Sequence, residues 1–147
     1  MMTQTLWHYF QRDLNKLKEE ISLYKNESVL WVLKGDIKNS AGTLTLHLLG
    51  NLKHFIGAQL GNTGYVRQRD KEFSDRNIPR ENMLKEIDEV ISILNKILPT
   101  IKDSNLEKEY PIKFLEEKRT IGYMLLMLST HLNYHLGQIN YHRRILS

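Results

Sequence analysis

The segment LWHYFQRDLNKLKEEI, residues 6–21, carries the pattern that decides the fold class. Its aliphatic and phenyl side chains recur every three or four positions, at Leu6, Phe10, Leu14, Leu17 and Ile21, and the positions between them are mostly polar or charged. Because an α-helix turns once every 3.6 residues, this spacing places the apolar side chains on one face. The sequence therefore predicts an amphipathic helix over roughly residues 3–25.

Three further segments predict helices of the same kind. Ser40 is suited to cap the second helix, which we expect to end at the GNTG turn of residues 61–64. Pro79 suits the first turn of the third helix, and Pro99 is expected to end it. The fourth helix is predicted from about residue 120 to residue 146, since no proline interrupts it.

The segments between these helices set the expected topology. Residues 62–79 show no clear periodicity and form a connection longer than most helix-to-helix links. The segment YPIKFLEEK, residues 110–118, is predicted to be a short extended or turn segment. Together the patterns predict an all-α fold, a four-helix bundle that forms a single domain over residues 1–147. The long second connection allows a crossover between helices two and three.

Composition argues against a nucleic-acid-binding or membrane-spanning protein and limits the atoms that could bind a metal ion. The chain has 147 residues, with 21 Lys and Arg against 17 Asp and Glu, and the basic residues are interleaved with acidic ones. No dense basic tract indicates nucleic-acid binding. No apolar run approaches the length of a membrane span, so we expect a cytoplasmic protein. Cysteine is absent, so any metal ion must be bound through nitrogen or oxygen.

Histidines near the end of the chain carry the strongest functional signal. In THLNYHLGQINYH, residues 130–142, His131 and His135 stand four residues apart, so their imidazoles project from successive helical turns and can chelate one ion. Helical periodicity places both in the middle of the apolar stripe of the fourth helix. On the second helix it places His47 and His54 on one face, and either could supply a third ligand. The alternative is a hydrogen-bonded polar network in the core.

Two well-known metal motifs do not fit this pattern. The zincin motif H-E-x-x-H requires a glutamate where this sequence has Leu132. A carboxylate di-iron site requires a glutamate three residues before a histidine, and the fourth helix has none. His8, which stands alone on the first helix, is expected to be structural or superficial.

The segments TLHLLGNLKHFIGAQLG, GYVRQRDKEF and HLNYHLGQINYH together resemble the DinB-like (YfiT-like) superfamily of metal-binding four-helix bundles, over nearly the full chain. In that family, a histidine of the second helix joins two histidines of the last helix in holding a divalent metal ion. The resemblance implies that His47, His131 and His135 are the ligands and that His54 is not. The ion would be zinc, nickel or iron.

The resemblance also implies a function. Characterised relatives include thiol-dependent S-transferases and metal-dependent isomerases or hydrolases, and they are often homodimers. We therefore expect a metal-dependent enzyme, such as a small-thiol S-transferase or a hydrolase, that acts on a small-molecule substrate and forms a homodimer. The alternative is a non-catalytic bundle that the metal stabilises and that binds a ligand or a protein partner. We expect no nucleic acid or membrane partner.

Six further residues are candidates for the surroundings of the site. Some could orient an imidazole or a bound water by hydrogen bonding, and arginines of the long connection could close over the pocket and bind a carboxylate or phosphate. The alternative for these arginines is an ordinary salt-bridged loop. The candidates are Asn51, His54, Gln138, Arg67, Arg69 and Glu72.

Overall fold

The computed structural model describes all residues, 1–147, and it is all-α, with no β-strand. The all-α prediction is confirmed. Six α-helices are present: α1 Met2–Leu23, α2 Ala41–Leu52, α3 Gln59–Gly61, α4 Arg69–Ser74, α5 Arg80–Ile97 and α6 Ile121–Leu146. Short 3₁₀ turns occupy Glu27–Trp31, Leu98–Thr100 and Asp103–Asn105, and a π-helical segment, Lys53–Ala58, joins α2 to α3.

Local signals explain where the long helices begin. The Ser40 hydroxyl accepts a hydrogen bond from the backbone N–H of Thr43, and the Thr120 hydroxyl accepts one from Tyr123. Each hydroxyl thereby satisfies one of the N–H groups that the first turn leaves unpaired. Pro79 lies immediately before α5. The starts of α2, α5 and α6 are as predicted. Helix α1 ends two residues earlier than expected.

The two halves of the chain pack around one apolar core. Helix α1 packs against α5 and α6, and α2 packs against the same two helices, so α1 and α2 lie across the core from each other. This arrangement brings the middle of α2 beside α6. The fully buried core side chains include Phe10, Leu14, Leu17, Ile21, Leu48, Leu49, Leu52, Met83, Ile87, Val90, Leu128 and Ile139.

Residues 62–79 contain structure that the sequence did not predict. Helix α4 forms within this connection and packs against α2. Its six residues are too few to show helical periodicity. The expectation of an irregular connection was therefore wrong in part, and α4 brings an acidic side chain, Glu72, against α2. No helix is both long and apolar enough to cross a membrane.

The prediction for the stripe of α6 was wrong in part, although its members Met124, Leu128 and His142 are buried. The buried face of α6 centres on Leu125, Leu128, Leu132 and Ile139, whereas His131 and His135 are only partly buried. The histidines therefore border the apolar core instead of lying in its middle. This border position leaves one side of the histidine pair open to solvent.

Candidate metal centre

Three of the predicted histidines lie together where α2 meets α6. The ring Nε2 atoms of His47 and His131 are 3.2 Å apart. The rings of His131 and His135 are 4.6 Å apart between centroids, and those of His47 and His135 are 5.5 Å apart. Each of the three histidines offers one nitrogen within 4.8 Å of the others. The packing of α2 on α6 thus joins residues that are far apart in the sequence.

A glutamate from α4 fixes the orientation of His47. The Nδ1 atom of His47 lies 3.1 Å from Oε1 of Glu72, and both side chains are buried. Arg67 donates two hydrogen bonds to this carboxylate, each 2.9 Å long. Burial alone would raise the pKa of Glu72, but the hydrogen bonds from His47 and Arg67 outweigh it, and the net pKa is lowered. Since an ionised carboxylate only accepts, His47 carries its proton on Nδ1 and leaves the Nε2 lone pair free.

The position of Glu72 depends on a glycine of α2. A Cβ atom at Gly50 would overlap the Glu72 carboxyl group. Because glycine has no side chain, the carboxylate can lie directly against the helix backbone, one turn from His47. Phe73, the next residue of α4, packs against the His47 ring with 4.9 Å between ring centroids. Helix α4 therefore holds the imidazole of His47 both by a hydrogen bond and by contact.

The two histidines of α6 differ in their partners. His135 donates from Nδ1 to the amide oxygen Oε1 of Gln138 over 2.7 Å, which leaves its Nε2 lone pair free as well. The Nδ1 atom of His131 is buried and has no hydrogen-bond partner in the protein. Buried polar atoms without a partner are uncommon in folded proteins. The preferred tautomers of His47 and His135 leave their Nε2 atoms unprotonated, and that of His47 lies against His131.

The surroundings keep the imidazoles of His131 and His135 neutral near neutral pH. Burial, helped by the neighbouring His135, His47 and Arg67, lowers the pKa of His131 to about 4. Burial also lowers the pKa of His135, although the hydrogen bond with Gln138 opposes the shift. A neutral imidazole can give its lone pair to a metal ion, whereas a protonated one cannot.

The donor set and its spacing fit a divalent metal ion. Two nitrogens bound to one tetrahedral zinc ion lie about 3.3 Å apart, given Zn–N distances of about 2.0–2.1 Å. The 3.2 Å between the Nε2 atoms of His47 and His131 matches this spacing. The donor atom of His135 lies within 4.8 Å of the others. The three-histidine cluster could therefore hold a metal ion, and imidazole donors suit zinc, nickel, iron or copper.

The other residues that the sequence predicted near the site divide into two groups. Glu72, Arg67 and Gln138 contact the cluster as described above. His54 lies in the π-helical segment, where its ring packs on Phe55, and it is not part of the cluster. The guanidinium of Arg69 lies 5.0 Å from the ring of Phe73 and forms no hydrogen bond with the three histidines.

Asn51 and His142 are buried but have different surroundings. The Asn51 side-chain oxygen has no hydrogen-bond partner in the protein. His142 hydrogen bonds to the Tyr24 hydroxyl and to the carbonyl oxygen of Val32, so it is a structural histidine of the core. Phe73 is the contact residue that sequence reasoning missed, because nothing in a six-residue helix distinguishes a residue that faces a site.

Comparison with known protein families adds one finding. The family model described as "Protein of unknown function (DUF1572)" matches residues 4–147. The chain therefore belongs to this family. No curated protein matches the chain significantly.

Proposed function

We propose that His47, His131 and His135 bind a divalent metal ion, zinc, nickel or iron, and that this DUF1572 member is a metal-dependent enzyme, such as a small-thiol S-transferase or a hydrolase. One observation carries the proposal. The Nδ1 atoms of His47 and His135 are each held by a side-chain acceptor, and the free Nε2 atom of His47 lies 3.2 Å from that of His131. Metal-binding histidines are typically held in this way through their second ring nitrogen.

The fold supports a finer assignment to the DinB-like bundles. Helices α1, α2, α5 and α6 surround one core, and the connection that contains α4 separates α2 from α5. This order fits a single-domain four-helix bundle with a crossover between its second and third long helices. The proposed ligands occupy the positions that the resemblance implies, one on α2 and two on α6. A homodimer is proposed from the resemblance alone.

The number of ligands favours catalysis over a purely structural role. Structural zinc sites are usually closed by four protein ligands, whereas catalytic sites keep a position open. Here the protein offers three imidazoles, and two of them are only partly buried. A bound ion would supply Lewis acidity that lowers the pKa of a water or of a small thiol. Glu72 and Gln138 would hold the protons of His47 and His135 on Nδ1, away from the reacting atoms.

Metal analysis of untagged protein tests the proposal. We expect about one equivalent of divalent metal per chain in the wild type and its loss in His131→Ala and His135→Ala. The matched controls are His8→Ala, on exposed helix surface, and His54→Ala, next to the site but outside the cluster. Full metal content in the cluster variants, or equal loss in the controls, would refute the ligand assignment.

A screen for activity then separates the enzyme from a merely metal-stabilised protein. The metal-loaded protein is assayed with small thiols and electrophiles, and with ester or amide substrates, beside the His135→Ala variant. Turnover that requires the metal supports the enzyme. Metal that raises the melting temperature strongly but supports no turnover would favour the structural role.

A further inference from the structure

A large open cavity adjoins the three-histidine cluster. It has a volume of about 680 Å³ and lies between residues 36–39 and the C-terminal half of α6. His135 belongs both to the cluster and to the cavity wall. Leu44, which also lines the cavity, precedes His47 by one turn of α2. The cavity therefore meets the proposed metal site on both of the helices that supply ligands.

The outer wall of the cavity is anchored at both ends. At one end, His142 donates from Nε2 to the carbonyl oxygen of Val32 over 2.8 Å, and its Nδ1 accepts from the Tyr24 hydroxyl over 2.7 Å. At the other end, Ser40 caps α2. Between them a turn forms at Gly35, which has a φ of +59°. The bond from His142 to Val32 thus ties one end of the wall to α6, and this gives the buried His142 a structural purpose.

The lining of the cavity is mainly apolar and has no net formal charge. The Tyr134, Tyr141 and Ile145 side chains are 64%, 63% and 59% exposed, so their apolar surface faces the open space. Asp36 and Lys38 are the two charged residues of the lining, and their formal charges cancel. A strongly anionic or cationic ligand would meet one favourable and one unfavourable charge. In the metal-free protein, the cavity therefore favours a ligand that is uncharged or zwitterionic.

We propose that this cavity binds the substrate of the metal site, a small molecule whose apolar, aromatic body carries no charge. Its volume is within the range of about 300–1,000 Å³ that is usual for small-ligand sites. Tyrosine rings offer large rigid faces for stacking on such a body. The reactive end of the molecule lies at His135, next to the open side of the cluster. This assignment to substrate rests on the proposed metal-dependent function.

A neutral fluorescent probe, N-phenyl-1-naphthylamine, tests the cavity in the metal-free full chain. Its sulfonated analogue, 1-anilinonaphthalene-8-sulfonate, has the same ring system and adds one negative charge. We expect saturable binding of one neutral molecule per chain, with an affinity at least equal to that of the anion. Binding of the anion alone would contradict the argument from charge and would overturn the proposal.

Matched tyrosine variants locate the bound probe. Tyr134→Ala and Tyr141→Ala each remove one aromatic face of the lining and should weaken probe binding roughly tenfold. Tyr123→Ala is the control, because Tyr123 is an exposed tyrosine of the same helix outside the cavity, and it should change binding less than about twofold. Circular dichroism checks that all three variants are folded. Equal effects of the three substitutions, or no effect of any, would overturn the proposal.

Two further measurements separate this inference from the metal proposal. Zinc binding is titrated independently. If zinc binds, it should change the affinity for the probe at least about threefold, since His135 is shared; an unchanged affinity would overturn the link to the metal site. If zinc fails to bind while the tyrosine variants still weaken the probe, the metal function fails and the cavity remains a binding site.

A second copy of the chain is the other possible occupant of this face. Sedimentation of the wild type and of the Tyr134→Ala and Tyr141→Ala variants gives their oligomeric states. A wild-type dimer that these substitutions convert to a monomer would show that the face is a protein interface, and it would overturn the proposal. An unchanged oligomeric state together with weakened probe binding supports it.

Discussion

The substitution Glu72→Gln removes the negative charge that His47 and Arg67 share while keeping the shape of the side chain. In the wild type the carboxylate accepts one hydrogen bond from His47 over 3.1 Å and two from Arg67 over 2.9 Å each. A glutamine amide has one acceptor oxygen and one donor NH₂ group. At least one of the three donors must then face another donor. Both the free energy of unfolding and the affinity for zinc should therefore change.

The first quantity is the free energy of unfolding. The side chains of Arg67 and Glu72 are 13% and 7% exposed, and removing one partner of a buried ion pair typically costs about 3–5 kcal/mol. The residual exposure of Arg67 favours the lower end, about 3 kcal/mol. For a chain of this size, such a loss lowers the melting temperature by roughly 10 °C.

The second quantity is the affinity of the cluster for zinc. Loss of a group that holds the second nitrogen of a metal-binding histidine typically weakens the metal about 10–100-fold. The same range is expected here, because Glu72 is the acceptor that keeps the His47 proton on Nδ1. Urea unfolding of the metal-free protein measures the first quantity, and zinc titration against a chromophoric chelator measures the second.

Two comparison variants make this prediction refutable. Asp70→Asn removes an exposed acidic side chain from the same short helix and should change neither quantity. The double variant Arg67→Met, Glu72→Gln removes both buried charges and should regain much of the stability without regaining zinc affinity. A folded Glu72→Gln protein with wild-type zinc affinity would refute the role given to the carboxylate.

Four further outcomes are expected. Gly50→Ala should weaken zinc binding in a chelator competition, because its Cβ would displace the Glu72 carboxylate behind the cluster. Gly137 lies at an exposed position of α6 with open space around it. Gly137→Ala should therefore stabilise the fold by up to about 1 kcal/mol in urea unfolding. Tyr24→Phe removes the hydroxyl that bonds His142 over 2.7 Å and should cost about 1–2 kcal/mol in the same assay, with zinc affinity unchanged. The metal-free protein should lose stability as the pH falls from 6.5 to about 4, because burial lowers the pKa of His131 across that window and only the unfolded chain takes up the proton there. Urea unfolding at several pH values measures how the free energy of unfolding changes with pH. His131→Asn should make that dependence weaker.

The long helices could be predicted from the sequence because their signals are local. Ser40 and Thr120 each cap the helix that follows, and the capping hydroxyl needs only the next three residues to act. The i, i+4 spacing of His131 and His135 places both on one side of α6 by helical geometry alone. For the third ligand, periodicity left His47 and His54 as alternatives, and only the family resemblance chose His47 before the packing of α2 on α6 was known.

Other parts of the site depend on contacts that no local pattern encodes. Glu72 was a candidate only as one charged residue of a long connection, and its role follows from the contact between α4 and α2. The π-helical segment changes the helical period from Lys53 onwards, so His54 could not be placed by counting residues at 3.6 per turn. Leu132 and Leu136 proved to be buried core residues, which shifts the apolar face of α6 away from the histidines.

The wide turn at Lys53–Ala58 lets the chain hold one extra residue without changing the direction of the side chains beyond it. A π turn accommodates one residue more than the α-helical path, so removing one residue there would let α2 continue as a regular helix. Because the wide turn and the α turn that replaces it both complete one rotation, the positions beyond the deletion would keep roughly their present direction around the helix axis. Gly61, where an added Cβ would overlap the end of the Ile97 side chain, would still face α5. The same deletion from the regular part of α2 would instead rotate the end of the helix by about 100°.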